Sequence, residues 1–291
     1  MLTYRLLRLL AAGVNALPPP GRRALGDGIG NTAWLLLPRR RRDMAVTNIS
    51  RSLDVGPAAA REIAKASTVR FGRMLMEVLG IDRLTRESVN SLVSFRGREY
   101  LDDAVAAGGC ILATAHSGNW ELLSAALSLN GYPLAAIAQK QHNAAMDRFI
   151  NEQRQAPGAE IVYRSDVRDM VRLLDRGKII GLLMDQDSHR QGVFVPFFGR
   201  LASTPVGPAA IARLRGAPIV PVFIHELAAG RHEIVVHPAL TVAKTRNREE
   251  DIYQATLQLT QIVEAHIRQH PTEWFWLHNR WKTPPPGDDC R

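Results

Sequence analysis

Apolar side chains change their spacing partway along the chain. Up to about residue 100 they recur every third or fourth position, which puts them on one face of a helix. Proline and glycine interrupt the pattern at Pro18-Pro19-Pro20, at Pro38 ahead of Arg39-Arg40-Arg41-Arg42, and at Val55-Gly56-Pro57. The region is therefore predicted to form separate helices across residues 1–17, 24–37 and 58–80. From Gly109 onward, short apolar runs alternate with helical patterns, as in an α/β sheet. Strands are predicted at 110–115, 134–138, 160–163, 179–184, 219–224 and 232–237, with helices at 120–129, 144–155, 166–176, 205–215 and 249–270. The expected fold class is α/β, a central mixed sheet flanked by helices. The chain shows no internal repeat and no low-complexity linker, and its length suits one large core.

The first helix carries an apolar stripe of Leu2, Leu6, Leu9, Leu10 and Val14, beside which Arg5 and Arg8 can extend toward phosphates. Such a helix fits the surface of a membrane and fits equally well packed on its own domain. Arg5 and Arg8 interrupt the run, and no stretch of 18 apolar residues occurs, so no transmembrane span is predicted. A cleaved signal peptide is not expected either, because the run ends in prolines rather than at a small-residue site. The segment 24–37 contains Trp34 and leads into the four arginines. There a membrane-dipping helix would meet anionic headgroups, each such residue contributing about 1 kcal/mol; a solvated basic face is the alternative. Residues 1–45 are accordingly set apart as amphipathic membrane-associating helices, and 46–291 as a second domain.

Charge narrows the partners. The chain has 37 Lys+Arg against 28 Asp+Glu, a formal charge of +9, which favours phospholipid headgroups, nucleic acid or an acidic carrier protein. Aromatic content is 6%, and no basic stripe is interleaved with stacking rings, so no nucleic-acid partner is expected. Cys110 sits in an apolar run and Cys290 stands near the end of the sequence. Neither has the neighbours of a metal or redox site, and His142, His189, His225 and His278 have no ligand spacing. No metal and no cofactor are expected.

Candidate chemistry begins at Ile111-Leu112-Ala113-Thr114-Ala115-His116-Ser117-Gly118-Asn119-Trp120-Glu121, which reads as a buried strand, a turn and a helix start. Gly118-Asn119 breaks the helix, so the imidazole of His116 can fold back to meet Glu121. A carboxylate on one ring nitrogen fixes the tautomer and leaves the other nitrogen free to take a proton. Alone, this pair suits a structural histidine better than a base. Asp185 and Asp187 follow the run 179–184, where α/β sheets place ligand groups, although turns also favour aspartate. The segment 193–198, with Phe194, Phe197 and Phe198, reads as core or as the wall of an apolar tunnel. Arg154 by itself reads as an ordinary arginine near a helix C-terminus.

His116-Ser117-Gly118-Asn119-Trp120-Glu121 resembles the His-x4-Asp/Glu motif of the glycerolipid and lipid A acyltransferases, often His-x-Gly-Asn-Trp-Glu after an apolar strand. Further resemblances follow in the family's order, across roughly residues 40 to 285: Met184-Asp185-Gln186-Asp187, Gly192-Val193-Phe194-Val195-Pro196-Phe197-Phe198-Gly199, Ala202-Ser203-Thr204-Pro205 and Val220-Pro221-Val222. Glu273-Trp274-Phe275-Trp276-Leu277-His278-Asn279-Arg280-Trp281-Lys282-Thr283 resembles the closing motif of the lipid A late acyltransferases. The resemblance implies transfer of an acyl chain from a thioester of acyl carrier protein or coenzyme A to a hydroxyl of a lipid A precursor, without an acyl-enzyme. Residues 46–291 would then be the acyltransferase domain, working at the cytoplasmic face of the inner membrane, on an anionic surface. It also implies catalytic roles for His116 and Glu121, a charge-relay or acceptor-holding role for Asp185, and an oxyanion or phosphate role for Arg154. Asn119, Asp187 and Lys140 are further substrate-contact candidates, Lys140 standing where many members carry arginine, and Phe194, Phe197 and Phe198 would line the acyl tunnel. Relatives sharing the His motif acylate other glycolipids or lysophospholipids, such as a phosphatidylinositol mannoside, which is the alternative acceptor.

Overall fold

The computed structural model describes residues 2–287; Cys290 lies outside the described residues. Four helices come first: α1 (Leu2–Ala16), α2 (Pro19–Leu36), α3 (Arg39–Leu53) and α4 (Pro57–Val78). Then follow α5 (Arg86–Leu92), β1 (Val93–Arg96), α6 (Arg98–Ala106), β2 (Cys110–Thr114), α7 (Trp120–Leu129), β3 (Leu134–Ala138), α8 (Ala144–Gln155) and β4 (Glu160–Tyr163). The remainder is α9 (Val167–Leu174), β5 (Ile179–Leu183), β6 (Val193–Phe197), β7 (Arg200–Thr204), α10 (Gly207–Arg215), β8 (Ile219–Glu226), β9 (His232–Val236) and α11 (Arg248–Gln269).

Seven strands form one sheet in the order β1-β9-β8-β2-β5-β3-β4. All neighbours run parallel except β8 and β9, so the sheet is mixed, as expected. Every residue of β2 is buried. Because successive side chains alternate across a strand, Ile111 and Ala113 join the core shared with α3, α4, α9, α10 and α11, while Cys110 and Leu112 join the one shared with α5, α6 and α7. The six expected strands are all present. β1 was not anticipated: it has four residues, and its place at the sheet edge depends on distant β9. The segment 193–198 becomes a separate antiparallel hairpin, β6 with β7.

The N-terminal helices differ from expectation in detail. The four arginines open α3 rather than a loop, since Pro38 at the cap ends α2 without preventing a new helix. Trp34 is buried at 3% exposure, with the guanidinium groups of Arg42 and Arg61 over its ring at 5.9 and 5.6 Å. Helix α1 turns Ala11 and Val14 inward, beside Met76 and Phe149, and leaves Leu2, Leu6, Leu9 and Leu10 exposed. Of the sequence stripe, Val14 is thus packed on the protein and the leucines are left facing outward. Helices α2 and α4 approach closely enough that a methyl group on Gly26 would lie 2.7 Å from the Arg73 Cα. The division drawn at residues 45 and 46 falls inside α3, whose Ala45 and Ile49 belong to the main core. No helix among the described residues is long and apolar enough to cross a membrane.

Candidate active site

The site lies beyond the C-terminal ends of β2 and β5, where parallel sheets open toward ligands. Thr114 is opposite Leu183, so two residues further along each strand His116 and Asp185 face each other. The His116 Nδ1 lies 2.8 Å from Asp185 Oδ1, and the His116 backbone N–H donates to Asp185 Oδ2 at 2.9 Å. The indole N–H of Trp274 donates to the same Oδ2 at 2.7 Å. Burial by itself would raise the Asp185 pKa, but the imidazole and these donors outweigh it and hold the carboxyl at about 2. An ionised Asp185 requires a hydrogen on Nδ1, so neutral His116 carries its lone pair on Nε2. The exposed Gln186 amide nitrogen stands 3.3 Å from that Nε2. The His116 side chain remains 22% exposed.

The turn after β2 needs its glycine. Gly118 has φ of 63°, and a methyl group there would lie 2.9 Å from the Ile224 carbonyl carbon. Gly118 N–H donates to the Glu273 carbonyl, and Phe275 N–H to the His116 carbonyl, at 3.1 and 3.0 Å. The Ser117 hydroxyl is 3.0 Å from His266 Nε2.

Glu121 does not support His116 as the motif suggested. Asn119 caps α7 by accepting the Leu122 N–H at 2.9 Å, which starts the helix at Trp120 and directs Glu121 toward α8. There Arg154 grips it with two bonds, Nε to Oε2 at 2.8 Å and the second nitrogen to Oε1 at 2.5 Å. One edge of the Arg154 guanidinium is therefore taken by Glu121, where an oxyanion or phosphate was expected. Burial opposes the Arg154 charge and Glu121 favours it, with the net effect that its pKa is raised.

The other candidates separate. Asn119 is 2% exposed, donates its amide to Glu77 at 2.7 Å and so shapes the turn at the edge of the charged cleft described below. Asp187 ties the chain together: its N–H donates to His278 Nε2 at 3.0 Å, and its Oδ2 accepts from Thr283 at 2.9 Å. Lys140 is on an exposed loop, 6.0 Å from the Tyr163 ring, and is not brought to His116. Phe197 and Phe198 are buried against Trp274, Trp281 and Trp276, so they belong to the core and not to a tunnel wall. Phe194, half-buried on the same hairpin, lines neither of the two clefts that share Trp120.

Those clefts meet at Trp120, whose ring packs edge-on to His116 with centroids 4.9 Å apart. One, with about 480 Å³ of open space, lies between α7 and strands β2, β3 and β5 and is lined by Leu112, Leu123, Leu134, Ile137 and Leu183, with Glu121 and Arg154. The other, about 390 Å³, is lined by Arg70, Arg73, Glu77, Glu226 and Glu273. The sequence held one sign of the first: Gly181 inside β5, a residue that lets something approach the strand. Among the described residues, no three His, Cys, Asp or Glu side chains are grouped to hold a metal ion. The first N–H groups of α7 have no partner within the helix and point their positive end toward the His116 turn.

A model of the bacterial lipid A biosynthesis acyltransferase family matches residues 2–283. The phosphatidylinositol mannoside acyltransferase of Mycobacterium tuberculosis (strain ATCC 25618 / H37Rv) is 29% identical over 245 residues, covering 80% of this chain and 75% of its own. The lipid A biosynthesis palmitoleoyltransferase of Escherichia coli (strain K12) is 26% identical over 277 residues, covering 94% and 88%. Among solved structures, the 1-acyl-sn-glycerophosphate acyltransferase PlsC from Thermotoga maritima aligns with 82% of this chain and 98% of that one, at 14% identity and a TM-score of 0.38. With its family motifs in order and matched over almost its whole length, the chain belongs to the bacterial lipid A biosynthesis acyltransferase family and is an acyltransferase.

Proposed function

We propose that this acyltransferase moves a fatty acyl chain from a thioester of acyl carrier protein or coenzyme A to a hydroxyl of a lipid A precursor, using His116 as general base. Asp185 takes the supporting place that the motif assigns to Glu121. His116 Nε2 removes the hydroxyl proton, and the alkoxide attacks the thioester carbonyl. The oxygen of the tetrahedral intermediate is held by the free N–H groups of Trp120 and Glu121. When the C–S bond breaks, the departing thiolate takes the proton from His116, and no acyl-enzyme forms.

The observation that carries this reading is the bond of 2.8 Å between His116 Nδ1 and the ionised Asp185, which leaves Nε2 as the basic nitrogen. The two clefts meeting at Trp120 support the division of substrates: the apolar one suits the donor chain and the charged one the acceptor headgroup. Glu121 and Arg154 then act by tying α7 to α8 along the apolar cleft. The exposed leucines of α1 with Arg39, Arg40 and Arg41 support peripheral docking through residues 1–45 on the cytoplasmic face of the inner membrane, while 46–291 carries the chemistry.

A panel of acyl thioesters and acceptor lipids tests the reaction. His116→Ala and Asp185→Asn are expected to lower turnover about 10²–10⁴-fold while the protein stays folded; undiminished turnover in the alanine variant removes His116 as the base. The 29% identity to the mycobacterial enzyme favours a second reading, a phosphatidylinositol mannoside as acceptor. Transfer to that lipid and not to a lipid A precursor decides for it.

A further inference from the structure

We propose that Trp274 is a positioning residue for the base, its indole N–H fixing the Asp185 carboxylate so that one oxygen stays aimed at His116. The inference rests on the His116–Asp185 reading above. A carboxylate turns easily about its last bond, where the torsion is broad. Here the turn is prevented from one side: Oδ2 is held by the Trp274 indole at 2.7 Å and by the His116 backbone at 2.9 Å, which reserves Oδ1 for the imidazole at 2.8 Å. Trp274 is 1% exposed and has the Phe197 and Trp276 rings against it, centroids 5.7 and 4.6 Å away, so it has no room to follow a moving acid.

The chemistry of the group suits the task. An indole N–H donates and cannot accept, so it stabilises the anion and can take no hydrogen bond from a protonated Asp185. A hydroxyl or imidazole in its place could turn round and accept. The chain near Trp274 is also fastened to both loops of the site. Phe275 N–H reaches the His116 carbonyl, Glu273 receives the Gly118 N–H, and His278 receives the Asp187 N–H. The buried Arg280 pins the segment to β7 through the Ser203 carbonyl at 2.6 Å and the Thr204 hydroxyl at 2.5 Å. The segment therefore holds His116 and Asp185 in one frame, and Trp274 is the member that reaches the acid itself.

The test replaces Trp274 by Phe and, to keep its shape, by benzothienylalanine, in which sulfur stands where the N–H was. Single-turnover kcat, KM and thermal midpoint are measured in the native chain and in the Asp185→Asn background. The expected result is a loss of about ten- to a hundredfold in kcat, since the bond lost is to a charged group. KM for the thioester and the thermal midpoint of the benzothienyl variant stay unchanged, and there is little further loss when Asp185 is already Asn. An unchanged kcat in the benzothienyl variant overturns the proposal. So does a loss of the same factor in both backgrounds, which would mean that Trp274 acts through packing and not through Asp185. If Asp185→Asn alone leaves kcat intact, the underlying dyad is what fails, and the positioning role falls with it.

Discussion

A carboxylate that receives three N–H donors on two oxygens has little tendency to take a proton, and this selects the form of His116 in the resting site. The His-x4-Glu spacing located the histidine but pointed to Glu121 as its partner, while Asp185 came forward as a relay or an acceptor-holding group only through the family resemblance. Which acid meets His116 depends on β2 lying beside β5 with Thr114 opposite Leu183, and strand order is not written in either run of apolar residues. The first acid in sequence instead meets Arg154. Because the Glu121 and Arg154 side chains are only 10% and 22% exposed, replacing either alone by a neutral residue strands a buried charge. Glu121→Gln or Arg154→Met is expected to cost about 3–5 kcal/mol, and the double substitution clearly less than the sum of the two. Urea unfolding of the four proteins measures this, and strict additivity would deny the coupling.

Long elements with a clear period were readable: the six strands and the helices α7 to α11 stand within a few residues of their expected places. Elements defined by remote partners were not, as β1 and the β6–β7 hairpin illustrate. The histidines are a related case, unremarkable in sequence and gathered by α11 crossing β8. His225 and His270 stack at 3.9 Å, and His266 lies 5.1 Å from His270. Burial first, then the neighbouring imidazoles, lower His266 to about 3 and His225 to about 4. As pH falls below the unfolded value of ~6.5, the unfolded chain binds protons that these folded histidines refuse. Stability is therefore lost progressively from that pH down toward the folded values. The thermal midpoint should drop between pH 7 and pH 5, and His266→Asn should flatten the slope; an equal slope in the variant would exclude His266 as a source.

At the scale of the molecule, α1 leaves four leucines exposed and α3 opens on three exposed arginines, the residues that the proposed docking on a membrane would use. Sedimentation with vesicles is expected to show binding to anionic lipid that weakens as salt rises, with weaker binding to zwitterionic lipid. Equal binding to both at every salt concentration would rule out the basic contribution. The α/β class and the end of the sheet where the site opens were legible, because they follow from strand spacing alone; the frame around the site was not, because the residues that close it are far apart. That separation bears on when the protein becomes active. Trp274 follows Asp185 by 89 residues. A ribosome making about 5–20 residues per second thus delivers both members of the dyad seconds before the tryptophan that orients them. A nascent chain can pair its strands and expose a histidine before Trp274 exists; on the role proposed for that residue, full turnover follows only once the segment around it has folded back.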